Sequence, residues 1–154
     1  MSAGPLVATG IGVLLLVATA YILIGGTLAT TEVMVEAQSS LAVNQEVRMR
    51  TAITIQSTAI EGQTLYVEVE NTGSEPVVEI ASMDVYLYAG GTPAYIPFGS
   101  GANTWSKVNI VPDDVHPGEL DPGETLNLSV AFEGDSPGYV QVVTGNGVSS
   151  SAYI

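Results

Sequence analysis

Cysteine is missing from the 154 residues. That removes disulfide frameworks, thiolate zinc sites, iron–sulfur clusters and thiol nucleophiles together. Positive charge is nearly missing as well: 3 Lys plus Arg stand against 16 Asp plus Glu, for a net charge of −13. Such a surface repels nucleic acid and anionic lipid headgroups, so neither is expected as a ligand of the water-facing part, and it suits a salty milieu. Histidine occurs once, at His116 between Val115 and Pro117, where a solvated loop residue is expected rather than a general base. With no thiol and no Gly-x-Ser-x-Gly elbow, a Ser–His–Asp or Cys–His arrangement has no basis. The phosphate-cradling patterns Gly-x-x-x-x-Gly-Lys and Gly-x-Gly-x-x-Gly are absent too. No enzyme and no cofactor are expected.

What is present begins with the N-terminus. Met1 to Thr31 carries no charged side chain, and Leu6 to Leu28 reads LVATGIGVLLLVATAYILIGGTL. At 1.5 Å rise per residue, this stretch spans about 35 Å, enough to cross a hydrocarbon core about 30 Å thick. The residues expected to meet lipid or neighbouring helices are Leu6, Val7, Ile11, Val13, Leu14, Leu15, Leu16, Val17, Tyr21, Ile22, Leu23, Ile24 and Leu28. A secretory signal would show a basic n-region and a shorter apolar core, and a soluble core helix would show a polar stripe. No Lys or Arg precedes Gly4, against the basic n-region of a secretory signal.

The helical pattern continues past the apolar run. Glu32 to Arg50 lacks Gly and Pro, with Val33, Ala37 and Leu41 at i, i+4 and i+8 and acidic, amide and arginine side chains on the other side. One helix of about 40 residues is expected, apolar all round at first and amphipathic afterwards, about 60 to 65 Å long. Residues 1–50 form this element and residues 51–154 a separate domain.

After Arg50 the period changes to two. Thr51–Ile60, Leu65–Val69, Met83–Tyr88, Trp105–Ile110, Thr125–Phe132, Tyr139–Val143 and Val148–Ile154 read as strands. Asn71-Thr72-Gly73-Ser74 and Thr144-Gly145-Asn146-Gly147 read as turns, on the ground that Asn and Gly tolerate positive φ. Ala89–Asn103 and Val111–Gly123 read as long irregular loops. Seven or eight short strands and no second helix predict an α+β protein: a long hydrophobic helix, then an antiparallel immunoglobulin-like β-sandwich.

Three weaker features remain. Asp113, Asp114, Glu119, Asp121 and Glu124 crowd one loop and could supply oxygen ligands to Ca²⁺, although the spacing is not that of an EF-hand; a solvated acidic loop is the alternative. Asn127-Leu128-Ser129 is a glycosylation sequon, with Asn127 expected to point outward and be exposed. Tyr86, Tyr88, Tyr95, Phe98 and Trp105 gather around one long loop, either as a contact patch or as a cap on the core.

A charge-free helix that leads amphipathically into one β-sandwich resembles the archaeal type IV pilin-like superfamily. VEVENTGSEPV (67–77), SMDVYLYAGG (82–91) with the following Trp105, and LDPGETLNLSV (120–130) look most like the archaellum accessory, or stator, proteins. The resemblance implies a non-enzymatic component of the cell envelope, embedded through residues 6–28, with its C-terminal domain outside the cell. Surface-layer or archaellum motor and filament proteins would be its partners, and self-association is expected. It implies two alternatives as well: a filament subunit polymerising through the same helix, and a membrane-anchored envelope binding module.

Overall fold

The computed structural model describes residues 3–154, leaving out the side chains of residues 27–30. The chain divides into two compact units, Met1–Val43 and Asn44–Ile154. One helix, α1 (Gly4–Arg50), accounts for all the helical sequence of the N-terminal half. Pro5 sits in its first turn, where the missing N–H has no intrahelical partner to lose. Thr9 and Thr19 return their hydroxyls to the carbonyls of Pro5 and Leu15, so the few polar side chains of the apolar stretch satisfy themselves along the helix.

The second unit holds eight strands: β1 (Ile53–Glu61), β2 (Thr64–Asn71), β3 (Asp84–Ala89), β4 (Thr92–Ile96), β5 (Trp105–Val111), β6 (Thr125–Ala131), β7 (Tyr139–Val143) and β8 (Ser149–Tyr153). They form two antiparallel four-stranded sheets, ordered β1-β2-β6-β5 and β4-β3-β7-β8. The architecture is the expected α+β sandwich.

Alternation builds the core. Leu65, Val67 and Val69 of β2 and Leu126, Leu128 and Val130 of β6 face inward and are completely or almost completely buried. Val85 and Leu87 of β3 and Val140 and Val142 of β7 meet them from the other sheet. Burying such a side chain contributes about 1.5–3 kcal/mol, and this is the main force holding the two sheets together. Trp105 completes the core with its ring edge-on to Phe98, centroids 4.8 Å apart.

Two sequence expectations change here. The expected irregular loop Ala89–Asn103 contains a strand. Gly90 and Gly91 both take positive φ, 59° and 81°, and make the two-residue turn that returns the chain as β4 beside β3. Pro93 obscures this in sequence, but β4 is an edge strand and its far side has no ladder to lose. The Asn71–Ser74 segment contains no positive φ. Its Gly73 is there for a different reason, a close backbone approach described below.

Leu128→Ala, on a central strand with no exposed surface, is expected to lower the unfolding free energy of the full chain in detergent by about 2–5 kcal/mol in urea titrations. Val108→Ala, more than half exposed on β5, is expected to stay within about 0.5 kcal/mol.

Candidate functional site

Each unit carries its own candidate surface. On α1, Leu6, Val7, Ile11, Val13, Leu14, Leu15, Leu16, Val17, Tyr21, Ile22, Leu23 and Ile24 are all exposed, Leu6 to 80% and Leu14 to 71%. Leu28, which belongs to the same expectation, lies outside the described side chains. The stretch is apolar on every side, and by length and composition the helix can cross a membrane. An exposed apolar surface of this extent marks a membrane or protein contact site.

In the second unit, the end of α1 is fastened to the sandwich. The carbonyl of Arg50 accepts from the Ser74 N–H at 2.9 Å, and that of Ala52 accepts from the Thr72 and Gly73 N–H groups. The backbones pass so closely that a Cβ on Gly73 would lie 2.5 Å from both Ala52 N and Arg50 O. Thr51, which is buried, donates its hydroxyl to the Val47 carbonyl and accepts from Asn146 Nδ2 at 2.7 Å. From the same hairpin, the Gly147 carbonyl accepts from Arg48 Nη2 at 3.4 Å. Arg50 Nε stands 3.5 Å from Glu75 Oε2, a half-exposed pair worth about 1 kcal/mol or less. The joint is held by backbone hydrogen bonds and by the buried Thr51.

Directly behind the joint lies Asn71, fully buried. Its Nδ2 donates to the carbonyls of Glu75 and Leu120, each at 2.9 Å, and its Oδ1 accepts from Gly73 N. Its own N–H and C=O pair with Glu124 O and Gly123 N. The acidic loop is thereby tied to the joint.

That loop does not present its carboxylates to solvent as a group. Asp121 and Glu124 are buried, and each accepts from backbone N–H: Glu124 from Asp114 and Asp121, Asp121 from His116. Asp113 Oδ1 accepts from Gly118 N, and Glu119 is half-buried. Among the described residues, no group of three or more His, Asp or Glu is placed to hold a metal ion. Asp113, Asp114, Glu119 and Asp121 share the loop; the hydrogen bonds of Asp113, Asp121 and Glu124 shape its backbone.

His116 is more tightly engaged than a solvated loop residue. Its ring is 60% exposed, but Nδ1 lies 2.9 Å from Asp121 Oδ1. The hydrogen bond to Asp121 and then its charge hold the imidazole pKa above the ordinary 6.5, with Glu119 and Glu124 adding to the effect against some desolvation. Asp121 is held below its ordinary 3.8, chiefly by the same hydrogen bond.

Asn127 points outward on β6, as the alternation requires, but it is half-buried because β6 is an interior strand. Its Nδ2 donates to Asn109 Oδ1 on β5 at 2.8 Å. The aromatic group splits in two. Trp105 belongs to the core, with Phe98 packed against it. Tyr86, Tyr88 and Tyr95 stand on the outer face of the second sheet, joined by Tyr139 and Tyr153, which carry no signal of their own in the sequence. Their cross-strand register, Tyr86 to Tyr95 and Tyr88 to Tyr139 to Tyr153, needs the strand pairing to be seen.

No family model and no curated protein matches the sequence. Solved structures do. The archaellum periplasmic stator protein FlaG from Sulfolobus acidocaldarius superposes with a TM-score of 0.55 at 18% identity, over 68% of this chain and 99% of that one. The fold is that of an archaellum stator protein. The complex of the periplasmic stator proteins FlaF and FlaG from the same organism gives a TM-score of 0.54 at 17% identity, over 66% of this chain and 87% of that chain.

Gly73→Ala is expected to destabilise the sandwich by about 1–3 kcal/mol in urea titrations, because backbone atoms, not a yielding side chain, occupy the space. The His116–Asp121 pair sets a pH dependence with a defined sign. His116, raised in the folded state, contributes fully below 6.5 and loses that contribution as pH climbs through its folded value. Asp121, lowered, contributes fully above 3.8 and loses it as pH falls. Thermal midpoints should therefore decline as pH rises above about 6.5, and His116→Gln should flatten that decline.

Proposed function

We propose that the chain is a non-enzymatic structural component of an archaeal surface motility machine, anchored through α1 and bracing the archaellum through its sandwich. The observation that carries this reading is the stator-protein fold of a domain fastened by backbone hydrogen bonds to the end of a long apolar helix. Residues 6–28 are the embedded part, in lipid or in a core of like helices. The domain of residues 51–154 lies outside the cell, where it meets surface-layer or archaellum proteins. The similarity to a solved complex of FlaF with FlaG supports a role in contact with other archaellum components. The absence of any catalytic constellation in the sequence agrees with a structural role.

The alternative is a filament subunit, favoured by one observation: the apolar side chains of α1 surround the helix on all sides, as packing among identical helices also requires. Deleting the gene in its host and restoring it separates the two. Under the bracing role, cells without the chain keep filaments but swim poorly, and filaments sheared from restored cells do not contain it. Recovering the chain as the repeating subunit of sheared filaments would establish the alternative. Unimpaired swimming without the chain would sink both.

A further inference from the structure

The outer faces of the two sheets differ in chemistry. On the β1-β2-β6-β5 sheet the outward side chains bond to one another: Gln56 to Glu70, Ser57 to Glu68, Ser106 to Ser129 and Asn127 to Asn109. On the β4-β3-β7-β8 sheet five phenols stand in register. Tyr86 and Tyr95 lie 5.5 Å apart, and Tyr88, Tyr139 and Tyr153 form a row with centroids 5.3 and 5.4 Å apart. Tyr95 is 54% and Tyr153 86% exposed.

These rings are spread over four strands rather than one loop, so the sheet holds them in fixed positions. Tyrosine offers a large contact area and a polar tip at low conformational cost, which is why it is concentrated in binding surfaces. Asp84, two residues before Tyr86 on β3, is the one charged residue on these four strands, on the strand that pairs with the one carrying Tyr95.

We infer that this tyrosine face is a docking surface for a partner polypeptide segment bearing arginine or lysine. Aromatic faces attract cations, and the Asp84 carboxylate on the same face adds a direct charge attraction for the same group. The net charge of −13 steers basic partners in and acidic ones away. A second copy of the chain is a poor occupant. It has only three basic side chains, and two of them, Arg48 and Arg50, are engaged at the joint. The inference rests on the sandwich being the partner-binding module. Its test reads binding in the isolated chain rather than motility, so either can fail while the other stands.

The experiment is a titration of the full chain in detergent micelles, with its tyrosine rings ¹³C-labelled, using an acetylated hexa-arginine peptide. Seven tyrosines are present, and Tyr66 supplies an internal reference, since it is exposed on the other sheet. The expected result is saturable shifts at Tyr86, Tyr88, Tyr95, Tyr139 and Tyr153 that leave Tyr66 unmoved. A Tyr88→Ser, Tyr95→Ser, Tyr153→Ser variant should bind about tenfold or more weakly, while the corresponding Phe variant should retain most of the affinity because the rings remain. Urea titration of each variant checks that the sandwich is intact, and Asn109→Ala on the other sheet should leave binding unchanged. Three results would overturn the inference: equal shifts at Tyr66, unweakened binding by the folded Ser variant, or ring shifts that follow protein concentration with no peptide present. The last would make a second copy the occupant.

Discussion

Asn71 is the point on which the helix-proximal end of the sandwich depends. It ends β2, it is completely buried, and every polar group it owns is paired. A buried amide without partners would cost about 1–3 kcal/mol per group, so its surroundings are constrained as tightly as it is. Through Glu75 and Gly73 it fixes the segment that grips Arg50 and Ala52. Through Leu120, Gly123 and Glu124 it fixes the acidic loop. The sheets would pack without it, by hydrophobic burial alone; the orientation of the loop and of the joint would not follow.

The acidic loop shows how the same residues can serve shape instead of ligand binding. Its carboxylates are close in sequence, the arrangement that cation sites exploit, yet the buried ones are consumed by N–H groups of their own loop. The single imidazole is consumed as well. The result is an irregular segment of the sandwich with defined geometry despite having no ladder partners beyond the Val77–Leu120 bridge. Its order comes from side chains standing in for strands.

Much of this was legible in the sequence, and the limits have physical causes. The long helix and seven of the eight strands follow from periodicity, because burial on one face imprints itself on consecutive residues. β4 escaped because Pro93 reads as a breaker unless the strand is known to lie at an edge. Gly73 reads as a turn glycine, whereas the structure needs it for close backbone approach; both requirements leave the same residue in the sequence. The exposure expected of Asn127 depends on which strands flank β6, and β2 and β5 on either side reduce it. The tyrosine face was half visible: Tyr86, Tyr88 and Tyr95 are near one another in sequence, whereas Tyr139 and Tyr153 join them only through register. Properties set by pairing across a sheet are not written in any one segment.

The hydrogen bonds around Ala52 also have a mechanical meaning. Tension delivered along the chain from α1 enters the sandwich at Thr51 and Ala52, and the bonds from Thr72, Gly73 and Ser74 take it up beside the first residues of β1. Behind them the β1–β2 ladder runs from Ile53 to Glu61 with one irregularity between Ile55 and Ser57, and the Ser150 hydroxyl on the opposite sheet accepts from Ile55 N. A pull applied there would load several bonds at once and reach both sheets through Ser150. Resistance to such a pull is a matter of unfolding rate rather than of equilibrium stability. The chain meets it where the helix becomes a strand.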